Sequence, residues 1–308
     1  MSTLSGDRPL DPAAEAGWGD AEQTRKGFFT DTSICIGCKA CEVACKEWNA
    51  IPEDGSMTLT GMSYDNTAGL SADTWRHVAF IEQQKAPGHQ QPGLQRARDG
   101  AKTVDLGMPS LPAASADGDG NFRWLMSSDV CKHCTHAACL DVCPTGALIR
   151  TEFGPVVVQD DVCHGCGYCV PACPSGVIDK RPSDGGMHKC TLCYDRLEVG
   201  LTPACAKACP TESIQFGDLD ELRERAQARV EALHAAGVPD ARLYGHDPTD
   251  GVGGDGAFFL LLDEPEVYGL PPDPVVTTRD LPRMWMAAGL AALGLAAGIG
   301  ACFGGRRP

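Results

Sequence analysis

The sequence predicts an α+β fold of small repeated modules followed by one apolar helix, and three observations support this prediction. Sixteen of the 17 cysteines fall into four groups of four with short internal gaps. β-Branched runs around glycine-containing turns alternate with these groups, which is typical of short hairpins. Residues 284–303 contain no charged side chain, and a stretch of that length can cross a bilayer.

The composition fits a folded, loop-rich chain. Of its 308 residues, 43% are hydrophobic, and 36 glycines and 22 prolines favour turns over long regular elements. The formal net charge is −15, and we find no basic stripe of the kind that phosphate backbones require, so nucleic acid is not an expected partner. Residues 1–20 are acidic and lack an apolar core, so no Sec signal peptide is predicted.

The chain divides into regions of different character. Residues 1–28 are predicted to be a polar N-terminal extension. Residues 29–217 form the body, with an insertion at 46–128. Residues 218–283 are predicted to be a linker helix and an extended segment, and 284–303 a transmembrane anchor. The second part of the insertion, from Lys85 to Asn121, is rich in Gly, Pro and Gln and predicts a surface loop.

Two hairpins are predicted within the body. The runs 147–150 and 155–159 surround a turn at Thr151-Glu-Phe-Gly, and residues 178–189 repeat this pattern more weakly around Asp184-Gly-Gly. The alternation of cysteine group and hairpin is an internal repeat and suggests one small module used twice.

The segment after the body predicts a helix and a strand. Asp218 and Glu221 have the spacing of a capping box. An apolar stripe then predicts a surface helix that packs on the core and ends near Gly237. The stripe consists of Leu219, Leu222, Ala226, Val230 and Leu233. Phe258 to Leu262 is predicted to be a buried strand, and residues 265–274 a proline-rich extended segment.

The spacing of the cysteines points to iron–sulfur clusters. The groups are Cys35-x2-Cys38-x2-Cys41-x3-Cys45, Cys131-x2-Cys134-x4-Cys139-x3-Cys143, Cys163-x2-Cys166-x2-Cys169-x3-Cys173 and Cys190-x2-Cys193-x11-Cys205-x3-Cys209. In such a group three cysteines surround one cubane, and the fourth turns away to ligate a neighbouring cluster. Two groups must therefore face each other, and four groups predict four [4Fe-4S] clusters.

Three simpler explanations account for the pattern less well. Zinc uses paired Cys-x2-Cys knuckles but does not call for a third and fourth cysteine in every group. Disulfides tolerate irregular spacing, and inert core cysteines are usually single. Cys302, which stands alone, is expected to be an apolar residue of the C-terminal segment.

The spacing alone does not decide which groups face each other, but their separation along the sequence favours one pairing. The second and third groups are close and joined by a hairpin, which leaves the first and fourth to pair across the insertion. The expected ligand sets are Cys131, Cys134, Cys139 with Cys173; Cys163, Cys166, Cys169 with Cys143; Cys35, Cys38, Cys41 with Cys209; and Cys190, Cys193, Cys205 with Cys45.

Charged and imidazole side chains also adjoin the cysteines. A positive charge at Lys39 or Lys189 would favour a reduced cluster, although each equally fits an ordinary exposed lysine. Four histidines are expected to be supporting or surface residues, because all sixteen ligand positions are filled: His133, His136, His164 and His188.

The order of the groups, with x4 in the second and x11 in the fourth, resembles the four-cluster subunits of the molybdopterin oxidoreductase family. The stretches Cys35-Ile-Gly-Cys-Lys-Ala-Cys-Glu-Val-Ala-Cys-Lys-Glu-Trp-Asn and Met187-His-Lys-Cys-Thr-Leu-Cys look like the iron–sulfur β subunit of respiratory formate dehydrogenase. So does the closing apolar segment. The resemblance extends over about residues 28–305 and implies tandem ferredoxin-like modules.

This resemblance implies a non-catalytic electron-transfer subunit of an oxidoreductase complex. Electrons would pass from a Mo/W-bis-pterin catalytic subunit through four [4Fe-4S] clusters to a membrane cytochrome b or quinone-reducing subunit. The clusters of groups one and four would lie nearer the catalytic subunit, and those of groups two and three nearer the membrane. The body would be anchored on the extracytoplasmic face, after export with a Tat-dependent partner.

Other hypotheses remain open from the sequence. The same electron-transfer role would suit a polysulfide, thiosulfate or dimethyl sulfoxide reductase, or a hydrogenase. A zinc-structured binding module is an alternative of a different class, and the apolar tail alternatively fits a buried packing helix. No residue has the context of a nucleophile or general base, so independent catalysis is not expected.

Overall fold

The computed structural model describes residues 24–53, 64–65, 67–84, 122–276, 278 and 280–304. The surface loop predicted for residues 85–121 lies outside the described residues, as does most of the polar N-terminal extension.

Ten strands and seven α-helices are present in these ranges. The strands are β1 (Lys26–Asp31), β2 (Arg76–Gln84), β3 (Phe122–Val130), β4 (Leu148–Arg150), β5 (Val156–Val158), β6 (Asp179–Lys180), β7 (Met187–His188), β8 (Ile214–Asp218), β9 (Arg242–Tyr244) and β10 (Ala257–Leu261). The helices are α1 (Ala40–Trp48), α2 (Ala138–Asp141), α3 (Cys169–Ala172), α4 (Tyr194–Glu198), α5 (Ala204–Lys207), α6 (Leu219–Ala235) and α7 (Leu281–Gly304), with 3₁₀ turns at Thr32–Ile34 and Pro265–Tyr268.

A four-stranded sheet in the order β8-β1-β10-β9 forms the centre of the body. β1 runs parallel to β10 and antiparallel to β8. Because side chains alternate across a strand, Phe28 points to the face that carries buried cysteines. Phe29 points to the other face and stacks on Phe258 with ring centroids 5.3 Å apart. The sheet therefore separates a cysteine-rich half from an all-apolar half.

Helix α6 covers the apolar face, which confirms the predicted stripe. Leu222 and Ala226 are fully buried against the sheet residues Phe29 and Phe258. The helix ends before Gly237, which has the positive φ of 87° common after a helix.

The predicted capping box at the start of α6 is wrong. Asp218 occupies the cap position without a side-chain capping bond. Its carboxylate instead pairs with Lys26 and accepts a hydrogen bond from Thr24. Lys26 lies directly opposite Asp218 in the β1–β8 register, and the ammonium group competes successfully for the carboxylate.

The central sheet crosses the boundaries of the sequence-based division. β1 begins at Lys26, within the region taken as the N-terminal extension. β9 and β10 belong to the same sheet as β1, so much of 218–283 is part of the body rather than a linker. The buried strand predicted at Phe258–Leu262 is confirmed with a shift of one residue. The extended segment predicted at 265–274 instead begins with the 3₁₀ turn at Pro265–Tyr268.

The predicted hairpins are confirmed as β4–β5 and β6–β7. The structure adds a longer hairpin that lies mostly within the insertion, β2–β3, whose nine residue pairs run from Arg76↔Val130 to Gln84↔Phe122. Sequence patterning missed this hairpin, because its two strands are separated by 37 residues without a short turn signal.

Helix α7 projects from the body. Arg283–Phe303 is long and apolar enough to cross a membrane, and none of it is buried against the rest of the described residues. It is the one such helix in the described ranges, and the alternative of a buried packing helix does not fit its exposure.

Candidate functional site

All 17 cysteines carry free thiols, and cysteines from each of the four groups lie in or against the hydrophobic cluster that contains Phe28. Each group follows the same plan: an irregular loop carries the leading cysteines, and a short helix carries or precedes the last. In the first group, α1 carries Cys41 and Cys45 on consecutive turns. Since these two positions are four residues apart, both thiols lie on the same face of the helix, one turn apart along its axis.

A left-handed residue recurs two positions after the leading cysteine of every group. Its amide donates to the leading thiol in the first, second and fourth groups; the bond from Leu192 N to Cys190 Sγ is 3.3 Å long. These residues and their φ angles are Gly37 (64°), His133 (47°), Gly165 (70°) and Leu192 (57°). Amides aimed at sulfur stabilise thiolate and therefore suit a metal-bound sulfur.

One cavity gathers thiols from the first and fourth groups. Its lining includes Cys35, Cys38, Cys41 and Cys209, and its empty volume is about 290 Å³. Cys209 comes from a loop after α5, more than 160 residues further along the sequence. The last cysteine of the fourth group therefore lies beside the first three of group one.

A second cavity gathers thiols from the second and third groups. Cys131, Cys134, Cys139 and Cys173 line it, with an empty volume of about 390 Å³. Again three cysteines of one group meet the last cysteine of another. The buried ammonium group of Lys189 also lines this cavity.

The expected quartet that combines group three with Cys143 consists of sulfurs close enough to interact electrostatically. Burial raises the pKa of Cys169 to about 11, and the neighbouring thiolates of Cys166, Cys163 and Cys143 raise it too. Cys143 is thus a neighbour of the leading cysteines of group three.

Cys45 is related to the first three cysteines of group four in the same way as Cys143 is to those of group three. Burial raises its pKa well above the ordinary value, and Cys190, Cys205 and Cys193 act in the same direction. Each of the four expected quartets is thus a set of spatial neighbours.

The quartets also adjoin one another in a defined order. Cys205 raises the pKa of Cys41, which is otherwise raised mainly by burial. Cys131 acts likewise on the pKa of the buried Cys190, and Cys169 on that of the buried Cys139. Three pairwise electrostatic interactions between thiols therefore relate the four quartets as one series.

The donor set suits iron–sulfur clusters better than single ions. Within the described part of the protein, no group of three or more His, Cys, Asp and Glu side chains is arranged to hold a metal ion. Four thiols placed around a shared cavity match the corners of a cubane. Burial keeps most of the buried thiols protonated, so iron binding must displace their protons, as metal binding to cysteine generally does.

The two lysines beside the cysteine groups, Lys39 and Lys189, differ in burial and in their hydrogen-bond partners. Lys189 is only 2% exposed and donates to the carbonyl oxygens of Val156 and Cys190, so the exposed-lysine interpretation is wrong for it. Lys39 pairs with Asp65 and Glu42 at 3.0 and 3.3 Å, which offsets its charge.

The four histidines differ in exposure. His133 and His188 are buried, His136 is half-buried and His164 is exposed. His188 contacts the carboxylate of Asp184 at 3.0 Å, which fits a supporting role.

Sequence reasoning missed several side chains that contact the thiols. Ser128 Oγ lies 3.2 Å from Cys41 Sγ, and nothing in its sequence context indicates this. Thr145 and Thr211 lie 3.6 and 3.8 Å from the sulfurs of Cys143 and Cys209. A signal for these two existed, because both belong to a repeated Cys-Pro-Thr sequence.

Comparisons with known proteins agree with this site. Two family models described as 4Fe-4S dicluster domains match residues 34–147 and 122–219. The fold and the cysteine quartets define an electron-transfer iron–sulfur subunit made of ferredoxin-like modules.

Relatives specify the family. The protein is 38% identical over 275 residues to the formate dehydrogenase iron–sulfur subunit of Haemophilus influenzae, covering 86% of this sequence and 76% of the relative. It is 37% identical over 273 residues to the formate dehydrogenase-O iron–sulfur subunit of Escherichia coli K12, covering 87% and 78%. It is also 33% identical over 202 residues to the B subunit of the anaerobic dimethyl sulfoxide reductase of that organism, covering 66% and 78%. The protein belongs to the family of formate dehydrogenase iron–sulfur subunits.

Proposed function

We propose that the protein holds four [4Fe-4S] clusters and relays electrons from a Mo/W-bis-pterin formate dehydrogenase catalytic subunit to a membrane cytochrome b or quinone-reducing subunit. The observation that carries this proposal is the continuous series of four thiol quartets. When bound, the clusters supply one-electron carriers. The protein's part is to hold each cluster in a low-dielectric cavity within short range of the next.

The proposed ligand sets are the four quartets predicted from the sequence. Their order along the series would be Cys35/Cys38/Cys41/Cys209, Cys190/Cys193/Cys205/Cys45, Cys131/Cys134/Cys139/Cys173 and Cys163/Cys166/Cys169/Cys143. The three electrostatic interactions between thiols of neighbouring quartets support this order.

The contacts of the residues just before α7 indicate which end of the series of quartets lies nearer the proposed membrane anchor. Val276, just before the helix, packs against Ala138 of α2 and Ala172 of α3. Thr278 donates to Asp141 at 2.7 Å. The modules of groups two and three therefore lie beside the proposed membrane anchor, and the first quartet belongs to the modules further from it. By similarity, we place the body on the extracytoplasmic face.

Iron analysis tests the number of clusters. Protein prepared without oxygen should contain about sixteen iron atoms and as much labile sulfide per protein molecule, because each cubane has four of each. Zinc as the dominant metal, or a colourless protein, would refute the proposal.

The crossed ligand sets are tested by Cys209→Ser. This change should alter the paramagnetic spectrum of the cluster held by Cys35, Cys38 and Cys41 and leave that of the Cys190 quartet intact. Cys205→Ser is the matched control, since it should alter the Cys190 quartet instead. Identical spectra for the two variants would contradict the crossing.

The host reaction is tested by purification of the intact complex without oxygen. A co-purifying subunit with molybdenum or tungsten should let formate reduce the clusters. The similarity to the B subunit of a dimethyl sulfoxide reductase supports a second candidate, in which dimethyl sulfoxide would reoxidise chemically reduced clusters and formate would have no effect.

A further inference from the structure

Arg76 is a buried cation for which the relay role proposed above gives no account. The side chain is 1% exposed, at the first residue of β2. Its guanidinium carbon lies 4.9 Å from the centre of the Phe28 ring. Burying a guanidinium is costly unless opposite charge compensates for it, so its surroundings must supply that charge.

No carboxylate among the described residues forms an ion pair with Arg76. The hydrogen-bond partner of its guanidinium is Ser128 instead. Nη1 donates to Ser128 Oγ at 3.0 Å and to the carbonyl oxygen of the same residue at 3.3 Å. Nε and Nη2 are buried without hydrogen-bond partners. Ser128 Oγ in turn touches Cys41 Sγ at 3.2 Å.

The sulfurs around Arg76 belong to two different quartets, and they become its opposite charges when iron displaces their protons. Cys41 belongs to the Cys35 quartet, and Cys205, Cys190 and Cys45 belong to the next one. Arg76 is linked to Cys41 through Ser128 Oγ, which contacts both side chains. Cys45 and Arg76 also line one cavity. The guanidinium therefore lies between the first two quartets of the series.

We propose that Arg76 is a positioning residue for electron transfer, whose buried charge raises the reduction potentials of both clusters held by groups one and four. The inference rests on the proposed cluster sites. Each added electron increases the negative charge of a thiolate-bound cluster, and a nearby buried cation stabilises that reduced form. Because the guanidinium neighbours both quartets, one side chain shifts the two potentials in the same direction.

Arg76→Gln tests this inference in the anaerobically purified full-length protein, by titration of the cluster signals against applied potential. Neighbouring side chains are close enough for Coulomb attraction in a protein interior to be substantial. Loss of the Arg76 charge should therefore shift the equilibrium between reduced and oxidised cluster toward the oxidised form by a factor of at least roughly ten. For a one-electron couple, this equals a fall of about 59 mV. Two of the four midpoint potentials should fall, and the two that belong to groups two and three should stay.

Two further variants separate charge from shape. Arg76→Lys keeps the charge, so the equilibrium between the oxidised and reduced forms of both clusters should change by less than about threefold. Arg225→Gln removes an equal charge from the outer face of α6, where the arginine donates to Gln215, and should move none of the four potentials.

The outcomes distinguish this inference from the cluster proposal. Iron and sulfide content of the unmodified protein tests the clusters. A fully loaded Arg76→Gln protein with unshifted potentials would overturn only the role of Arg76. If the Gln variant loses iron, restoration by Arg76→Lys supports the charge role, and continued loss in the Lys variant would overturn it.

Discussion

The left-handed residue two positions after each leading cysteine is a requirement that the four groups share. At Gly37 and Gly165 this conformation costs little, because glycine has no Cβ. His133 and Leu192 adopt it with φ of 47° and 57°, which costs free energy for a residue with a Cβ. The protein accepts that cost where the amide must point toward a thiol.

Gly165→Ala should destabilise the third group strongly. A Cβ at this position would collide with the backbone carbonyl oxygen of Gly185, in addition to the unfavourable φ of 70°. We expect a loss of at least about 2 kcal/mol in the free energy of unfolding, measured by denaturation without oxygen, and partial iron loss.

Gly146→Ala is the matched control. Its φ of 69° is nearly the same, but a Cβ there would meet nothing within 4 Å. It should cost only about 1 kcal/mol. Equal effects in the two variants would show that the collision at Gly165 has no importance.

At the level of elements, α6 stabilises the body from the side opposite the thiols. Leu222 is 1% exposed and packs against Phe29 and Phe258 of the central sheet. The helix has no buried contact with a cysteine of the four groups in its apolar cluster. Stability and cluster binding are therefore partly separable.

Leu222→Ala should test this separation. Loss of a buried leucine costs about 2–5 kcal/mol, so the midpoint of chemical unfolding should fall substantially, while iron content and midpoint potentials at low denaturant remain native. Glu224→Ala, at an exposed position of the same helix, should change the unfolding midpoint little. A changed cluster spectrum in Leu222→Ala would show that α6 does act on the thiols.

Unlike α6, the β2–β3 hairpin contacts the thiols directly. It places Ser128 against Cys41, and Arg76 donates a hydrogen bond to Ser128 Oγ across the two strands. Its residues come from an insertion whose pattern gave no indication of contact with the clusters. An element that looked peripheral in the sequence thus completes the environment of two quartets.

For the whole molecule, the body and α7 are nearly independent in packing. The helix has no buried side chains in its apolar window, whereas Val276 just before it is only 4% exposed. The boundary between anchor and body therefore lies between residues 276 and 281.

A protein that ends at residue 280 should lose membrane attachment and keep its clusters. Removal of the apolar helix removes the surface that favours a bilayer, while Val276 and Thr278 remain in their contacts. Iron content of the soluble fraction and vesicle flotation measure the result. A protein that ends at residue 275 should be less stable, because it also lacks Val276; a residue-280 truncation that is insoluble or iron-poor would contradict the separation.

The sequence by itself determined the four cysteine groups, the two short hairpins, the α6 stripe and the apolar tail. These features depend on local spacing, because a loop around a cluster, a hairpin and an amphipathic helix each repeat over a few residues. It also predicted that the last thiol of one group would meet another group, since a single group cannot complete its own site.

Only the tertiary structure decided what lies between the quartets. Lys26 opposes Asp218 across 192 residues, β10 joins β1 from the far end of the sequence, and Arg76 lies near Cys41 and Cys45, which belong to two different quartets. Such contacts depend on how distant segments pack, and no local period encodes them. The thiols can be read from their spacing, whereas the charges that surround them depend on the folded arrangement.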